Sequence, residues 1–175
     1  MRRGTLVLGL LLALTACSAT VTVPLPDQTL DLPDLPGLID TGGKVVYPKD
    51  GLSFAPPSVD VVRGIRVEGV LEASEPLNAT LEFYARTRDP SQDSACTAPL
   101  PGVDIYLCSI GPDDQKVGQA TFQNSQQASF TLQGTKLTEG IKAGRLWLGI
   151  KASGLPSDPI TLTFLNMKAY VTVGL

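Results

Sequence analysis

From Lys44 onward, apolar and polar residues alternate with a period of two, in runs separated by Gly, Pro, Asn, Asp and Ser. Lys44–Tyr47 makes a short first strand. Val59 to Ala73 is the longest clean run: Val59, Val61, Ile65, Val67, Leu71 and Ala73 share one face, and Asp60, Arg66, Glu68 and Glu72 the other. Ser74-Glu75-Pro76 then turns the chain into Leu77–Thr87, with Leu77, Ala79, Leu81, Phe83 and Ala85 inward and Asn78, Thr80, Glu82, Tyr84 and Arg86 outward. These two runs are expected to pair as an antiparallel hairpin with one wet face.

Residues 88–102 form the longest irregular stretch. Val103–Ile110 follows as a strand, with Cys108 and Tyr106 on the face away from the core. Gly118–Gln123 and Ala128–Gln133 suggest a second hairpin about Asn124-Ser125, burying Ala120, Phe122, Phe130 and Leu132. Leu137 to Ala143 has room for one helical turn, but Gly140 and Gly144 crowd it. Gly144–Ala152 is a strand with Leu146, Leu148 and Ile150 inward. In the last strand, Ile160 to Val173, the inward set changes parity between Phe164 and Met167, which predicts a bulge at Leu165–Asn166. About eight strands, regular turns and no full helix imply an all-β, two-sheet antiparallel sandwich over 44–175, jelly-roll or Greek-key. The last two strands, Gly-Arg-Leu-Trp-Leu-Gly-Ile-Lys and Ile-Thr-Leu-Thr-Phe-Leu-Asn-Met-Lys-Ala-Tyr-Val-Thr-Val, resemble the end of jelly-roll domains related to carbohydrate-binding modules, a likeness of fold over some thirty residues.

The preceding stretch, 17–43, carries Pro24, Pro26, Pro33 and Pro36 among aspartates, a composition that favours extended backbone and resists a helix. It reads as a semi-rigid tether. Val21, Val23 and Leu25, then Leu30 and Leu32, alternate with polar or Pro residues, so part of it also reads as an edge strand.

Before it, Arg2 and Arg3 lead into an uncharged apolar run, Leu6 to Leu14, and then Leu14-Thr15-Ala16-Cys17. A basic start, a short apolar core and small residues before a cut site make a secretory signal over 1–16. The run is shorter than the roughly 20 apolar residues of a membrane span. Leu14-Thr15-Ala16-Cys17 resembles the lipobox of bacterial lipoproteins. The resemblance implies cleavage before Cys17, a diacylglycerol thioether on its sulfur and a third acyl chain on the new amine. It places the chain in the bacterial cell envelope, attached to the membrane by its acyl chains. Ser18 stands where many Gram-negative inner-membrane lipoproteins carry Asp, so the resemblance points to the outer membrane if the cell has two.

That assignment changes the cysteine count. Of three cysteines, Cys17 takes lipid, leaving Cys96 and Cys108 in a compartment where disulfides persist. A Cys96–Cys108 bridge is therefore expected, folding the irregular stretch over the outer face near Tyr106; the alternatives are a thiolate metal site or a nucleophilic Cys. Charge changes too: the signal takes two of 14 Lys and Arg, leaving 12 against 17 Asp and Glu, a net charge near −5. With no basic excess to replace phosphate counterions, nucleic acid is not an expected partner, and neither is an electrostatic contact with a membrane, so attachment should come from the acyl chains. The chain has no histidine, which excludes His-dependent triads, His general bases and His-ligated zinc or copper. No residue set implies a cofactor.

The remaining candidates are few. Trp147, on the face opposite Leu146 and Leu148 and flanked by Arg145 and Lys151, suits stacking on a sugar or an anionic ligand if exposed, with Gly149 leaving space and Tyr84 as a weaker partner. The alternative is a ring packed under a loop. Glu68 and Glu82, opposite each other if the first hairpin turns about Glu75, make a carboxylate pair of the kind that hydrolyses glycosides, or an ordinary exposed charge ladder. Asp89, Asp93, Asp113 and Asp114 offer oxygen ligands for calcium without a loop motif, or are turn residues. Three readings follow: a non-enzymatic, lipid-anchored envelope module with a structural or protein-docking role; a glycan- or ligand-binding module built on Trp147; and a carboxylate-dependent hydrolase.

Overall fold

The computed structural model describes residues 18–32, 41–53, 61–98, 104–156 and 158–174. Cys17, the apolar run before it, Val59 and Val103 lie outside them. In chain order the described strands are β1 (Ser18–Pro24), β2 (Gln28–Leu32), β3 (Val45–Pro48), β4 (Leu52–Ser53), β5 (Val62–Leu77), β6 (Thr80–Arg86), β7 (Cys96–Thr97), β8 (Ile105–Cys108), β9 (Gln115–Thr121), β10 (Ser125–Gln133), β11 (Arg145–Ser153) and β12 (Ile160–Gly174), with α1 (Thr135–Ala143) between β10 and β11. They form two antiparallel sheets. One has five strands, β1-β12-β5-β10 with β2 also on β12; the other has seven, β7-β8-β3-β11-β6-β9 with β4 on β11. The chain is an all-β sandwich.

The alternation is real, but both expected hairpins are corrected. β5 lies in the five-stranded sheet and β6 in the seven-stranded one; the expected turn residues Ser74, Glu75 and Pro76 are still in β5, and Asn78–Ala79 carries the chain between sheets. β9 and β10 part in the same way at Asn124, which holds a left-handed φ of 50°. Alternation records which face of each strand is inward. It is the same for two strands of one sheet and for two strands facing each other across a core. Most core residues are therefore as expected, with Leu71, Leu81, Phe83, Phe122 and Leu162 almost wholly buried between the sheets; at the start of β5, Val62 enters the core in place of the expected Val61. Phe83 from one sheet meets Phe130 and Phe164 from the other at ring-centre distances of 5.9 and 6.2 Å. Burial on this scale contributes roughly 25 cal/mol per Å² of apolar surface.

The bulge falls where the parity change put it. The β12–β5 register shifts between Leu165 and Lys168, and Asn166 has φ 53°. The same irregularity divides the edge. β1 pairs with β12 from Ser18↔Gly174 to Pro24↔Lys168, and β2 from Gln28↔Phe164 to Leu32↔Ile160. Between them Leu25 N–H donates to the Met167 carbonyl, and the Asp27 carboxylate accepts from Asn166 N–H. The proline-rich stretch read as tether or edge strand thus carries both β1 and β2.

The helix corrects the expectation of none. Gly140 reads as a breaker, yet a Cβ there would stand 2.6 Å from Leu146 Cδ1, so glycine is what lets the helix approach β11. Gly144 ends the helix in the left-handed conformation, φ 73°, with its N–H on the Gly140 and Ile141 carbonyls. Leu137 enters the core, and Thr138 Oγ1 accepts from Ile65 N–H, fixing α1 over one end of the sandwich.

Candidate functional site

The outer face of the seven-stranded sheet carries a second, smaller core. Register brings Val45 opposite Cys108, Tyr47 opposite Tyr106, Gly149 opposite Tyr84 and Trp147 opposite Arg86, all on the side away from the main core. Val45, Tyr47, Tyr84, Cys108 and Trp147 are nearly or wholly buried together. Cys96 and Cys108 are bonded, which folds the irregular stretch after β6 back over the outer face of β8, beside Tyr106. Alternation put Cys108 on the outer face, and a bridge to Cys96 from there requires the cover that is seen.

Trp147 is 1% exposed. Its Nε1–H points to the Lys49 carbonyl at 3.4 Å, and the backbone at Gly51 presses on the indole, since a Cβ there would lie 2.7 Å from Cε2. The Arg145 guanidinium covers the ring at 4.4 Å and pairs with Asp89 at 3.5 Å. No aromatic face is left on which a sugar could stack. Nor does Gly149 leave open space beside the ring: a Cβ there would be 2.5 Å from Tyr47 Cε1 and 2.6 Å from Val45 Cγ1. Tyr84, expected outward and wet, is 6% exposed. Lys151 is tied to Glu82 at 2.7 Å.

The centre of this region is Arg86, whose outward place on β6 suggested an exposed residue and whose side chain is wholly buried. It donates to Asp93 Oδ2 at 2.5 Å, lies 3.0 and 3.3 Å from the sulfurs of Cys96 and Cys108, and stands 5.3 Å from the Tyr47 ring. Asp114, also buried, accepts from Tyr47 Oη at 2.7 Å and lies 3.7 Å from Arg86. Asp113 pairs with Arg88 at 3.3 Å. The four loop aspartates do converge, but on Arg86, Arg88 and Arg145. Among the described residues, no group of three or more Asp, Glu or Cys has the geometry to hold a metal ion. A sequence signal was present: three arginines within reach of a stretch rich in Asp. Alternation alone could not show that the stretch folds over them.

The electrostatics follow from this pairing. The hydrogen bond from Arg86, with a second from Ala95 N–H, holds the Asp93 carboxyl below its ordinary value. Hydrogen bonds from Ser91 do the same for Asp89. Burial first, then the bond to Asp114, pushes the Tyr47 phenol far above its usual range, so it stays a neutral donor. Burial and Glu82 raise Tyr84. Glu82 itself is held low by hydrogen bonds from Lys116 and Lys151. Each charge is matched within the cluster, which suits holding a covering loop in place rather than moving protons.

Glu68 and Glu82 are not a pair. Glu68 lies in the five-stranded sheet between Thr131 and Lys168, bound to Arg66 at 2.9 Å; Glu82 lies in the other sheet between Gln119 and Lys151. The sheet switch after Glu75 separates them. No family model matches this chain, and a search of curated proteins finds no match.

Proposed function

We propose that this chain is a non-enzymatic, lipid-anchored β-sandwich of the bacterial cell envelope, with a structural or protein-docking role. One observation carries the reading: the order Arg2-Arg3, an apolar run too short to span, and Leu14-Thr15-Ala16-Cys17. Three features of the domain support it. The aromatic residue best suited to sugar stacking is buried, the carboxylates suggested for hydrolysis stand in different sheets, and the aspartates of the covering loop are engaged by arginines. A role carried by shape and attachment needs none of them free.

The test is the intact mass of protein extracted from membranes, measured with and without reduction. The expected mass is that of Cys17–Leu175 plus acyl groups, rising by two hydrogens on reduction, with no acyl mass on a Cys17→Ser variant. An unacylated chain, or acyl mass that persists on the Cys17→Ser variant, overturns the anchoring. Retention of the acylated protein on purified cell-wall glycan above background would overturn the structural or docking role in favour of ligand binding.

A further inference from the structure

Ser18, the first residue of β1, is locked by register to Gly174 at the end of β12. One peptide unit separates it from Cys17, a Cα–Cα step of about 3.8 Å. An acyl chain on Cys17 therefore leaves the domain at the Ser18–Gly174 corner, with no leash between. Arg63 lies at that corner: a Cβ on Gly174 would be 3.6 Å from Arg63 Nε and 4.0 Å from Ser18 Cβ. Beside it, an open depression between the outer face of the five-stranded sheet and α1 is bordered by Arg63, Arg66 and Lys142 against a single carboxylate, Glu139. Arg66 is engaged by Glu68 at 2.9 Å, and Glu139 by Lys136 at 3.7 Å. Among the described residues, Arg63 and Lys142 have no carboxylate partner.

The opposite end has the reverse character. Residues 74–79, 121–127 and 158–161 include Glu75 and Asp158 and no Lys or Arg. β12 is 15 residues long, so at ~3.3 Å per residue the two ends stand about 45 Å apart. That is several Debye lengths at physiological salt, and the aspartates nearer α1, Asp89, Asp93, Asp113 and Asp114, are engaged by Arg86, Arg88 and Arg145. The net charge near −5 is thus the wrong quantity for judging a contact made by one end alone.

We infer that the end bearing Ser18, Arg63 and Lys142 is the seat of the domain on the bilayer. Arg63 and Lys142 rest against anionic lipid head groups, and the sandwich stands with its acidic end outward. The inference rests on acylation of Cys17. Each such cation contributes about a five-fold effect at an anionic surface.

The test uses acylated protein in vesicles of phosphatidylcholine alone or with phosphatidylglycerol, and reads acetylation of Lys142 by mass spectrometry. Lys168, exposed on the same sheet and six residues back along β12 from Gly174, is the internal reference. Lys142 is expected to react about five-fold more slowly relative to Lys168 in the anionic vesicles, with the gap closing in high salt. Equal ratios in the two vesicles overturn the seating and leave the acylation reading standing. An unacylated chain that washes off both overturns the acylation itself. In a variant with Arg63→Glu and Lys142→Glu, its fold checked by Trp147 emission, Lys136 becomes the reporter. Any lipid dependence is expected to vanish there, and its persistence would also overturn the seating.

Discussion

Trp147 and Arg86 face each other across neighbouring strands on the outer side of the seven-stranded sheet, and both are almost wholly buried. One is the side chain whose type and flanking cations best suit a ligand; the other is a cation with no obvious reason to leave water. Together they show that this face is an interior, closed by the stretch between β6 and β8.

Arg86 is therefore expected to be the most sensitive position outside the main core. Removing it leaves Asp114 buried and Asp93 unpaired, and breaking a buried pair from one side costs roughly 3–5 kcal/mol. Urea unfolding of Arg86→Met should show a loss of that order. Adding Asp93→Asn should recover part of it. A single variant within ~0.5 kcal/mol of the parent would mean that the cluster contributes little.

Reduction of Cys96–Cys108 should cost about 3 kcal/mol through the reopened chain loop. Trp147 is the chain's sole tryptophan, so its emission reports directly on the cover. In mild denaturant the reduced protein is expected to shift to the red before the far-ultraviolet signal of the sheets is lost. Coincident transitions would mean that the small core and the large one melt as a single unit.

Acid should destabilise the fold in a definite window. Glu82, Asp89 and Asp93 are held below their ordinary values in the folded chain. Such groups contribute stability above their unfolded values, about 4, and lose it as pH falls through the folded ones. The urea midpoint should be flat from neutral pH to about 5 and fall below about 4. Glu82→Gln should make that fall shallower, and an unchanged slope would remove Glu82 from the account.

The alkaline side has the opposite sign. Tyr47 and Tyr84 are raised in the folded state, so their contribution is complete below an unfolded value of about 10 and is lost as pH rises beyond it. Tyr47→Phe should weaken the fold at neutral pH by about 1–3 kcal/mol, because Asp114 loses its donor. It should also flatten the alkaline fall. Equal alkaline slopes in variant and parent would contradict this.

The face of each strand was legible in the sequence, and so was one defect: the parity change between Phe164 and Met167 marks the bulge at Asn166. Strand partners were not legible. A turn such as that after Glu75 carries the same residues whether it closes a hairpin or crosses the core, and only the second separates Glu68 from Glu82. The helix was hidden because Gly140, which opposes a helix by propensity, is required there by Leu146. The site was misread for a related reason. Alternation sorts residues into inner and outer, and Arg86, Tyr84 and Trp147 are outer. Whether an outer face meets water depends on where a loop lies, and the bridge between Cys96 and Cys108 was the one sequence feature bearing on that.

The break between β1 and β2 has a consequence for crowding. A long flat edge invites a second copy to add strand to strand, and chains confined to a surface meet edge to edge far more often than chains in solution. Here the exposed border is two short segments of seven and five residues, kinked opposite a bulge, with Pro24 and Pro26 withholding two amide donors and Asp27 turned into the gap. Along this border no continuous register exists along which a neighbour could zip. The irregularity that bends one strand thereby breaks up the border on which β1 and β2 could otherwise pair with a second copy.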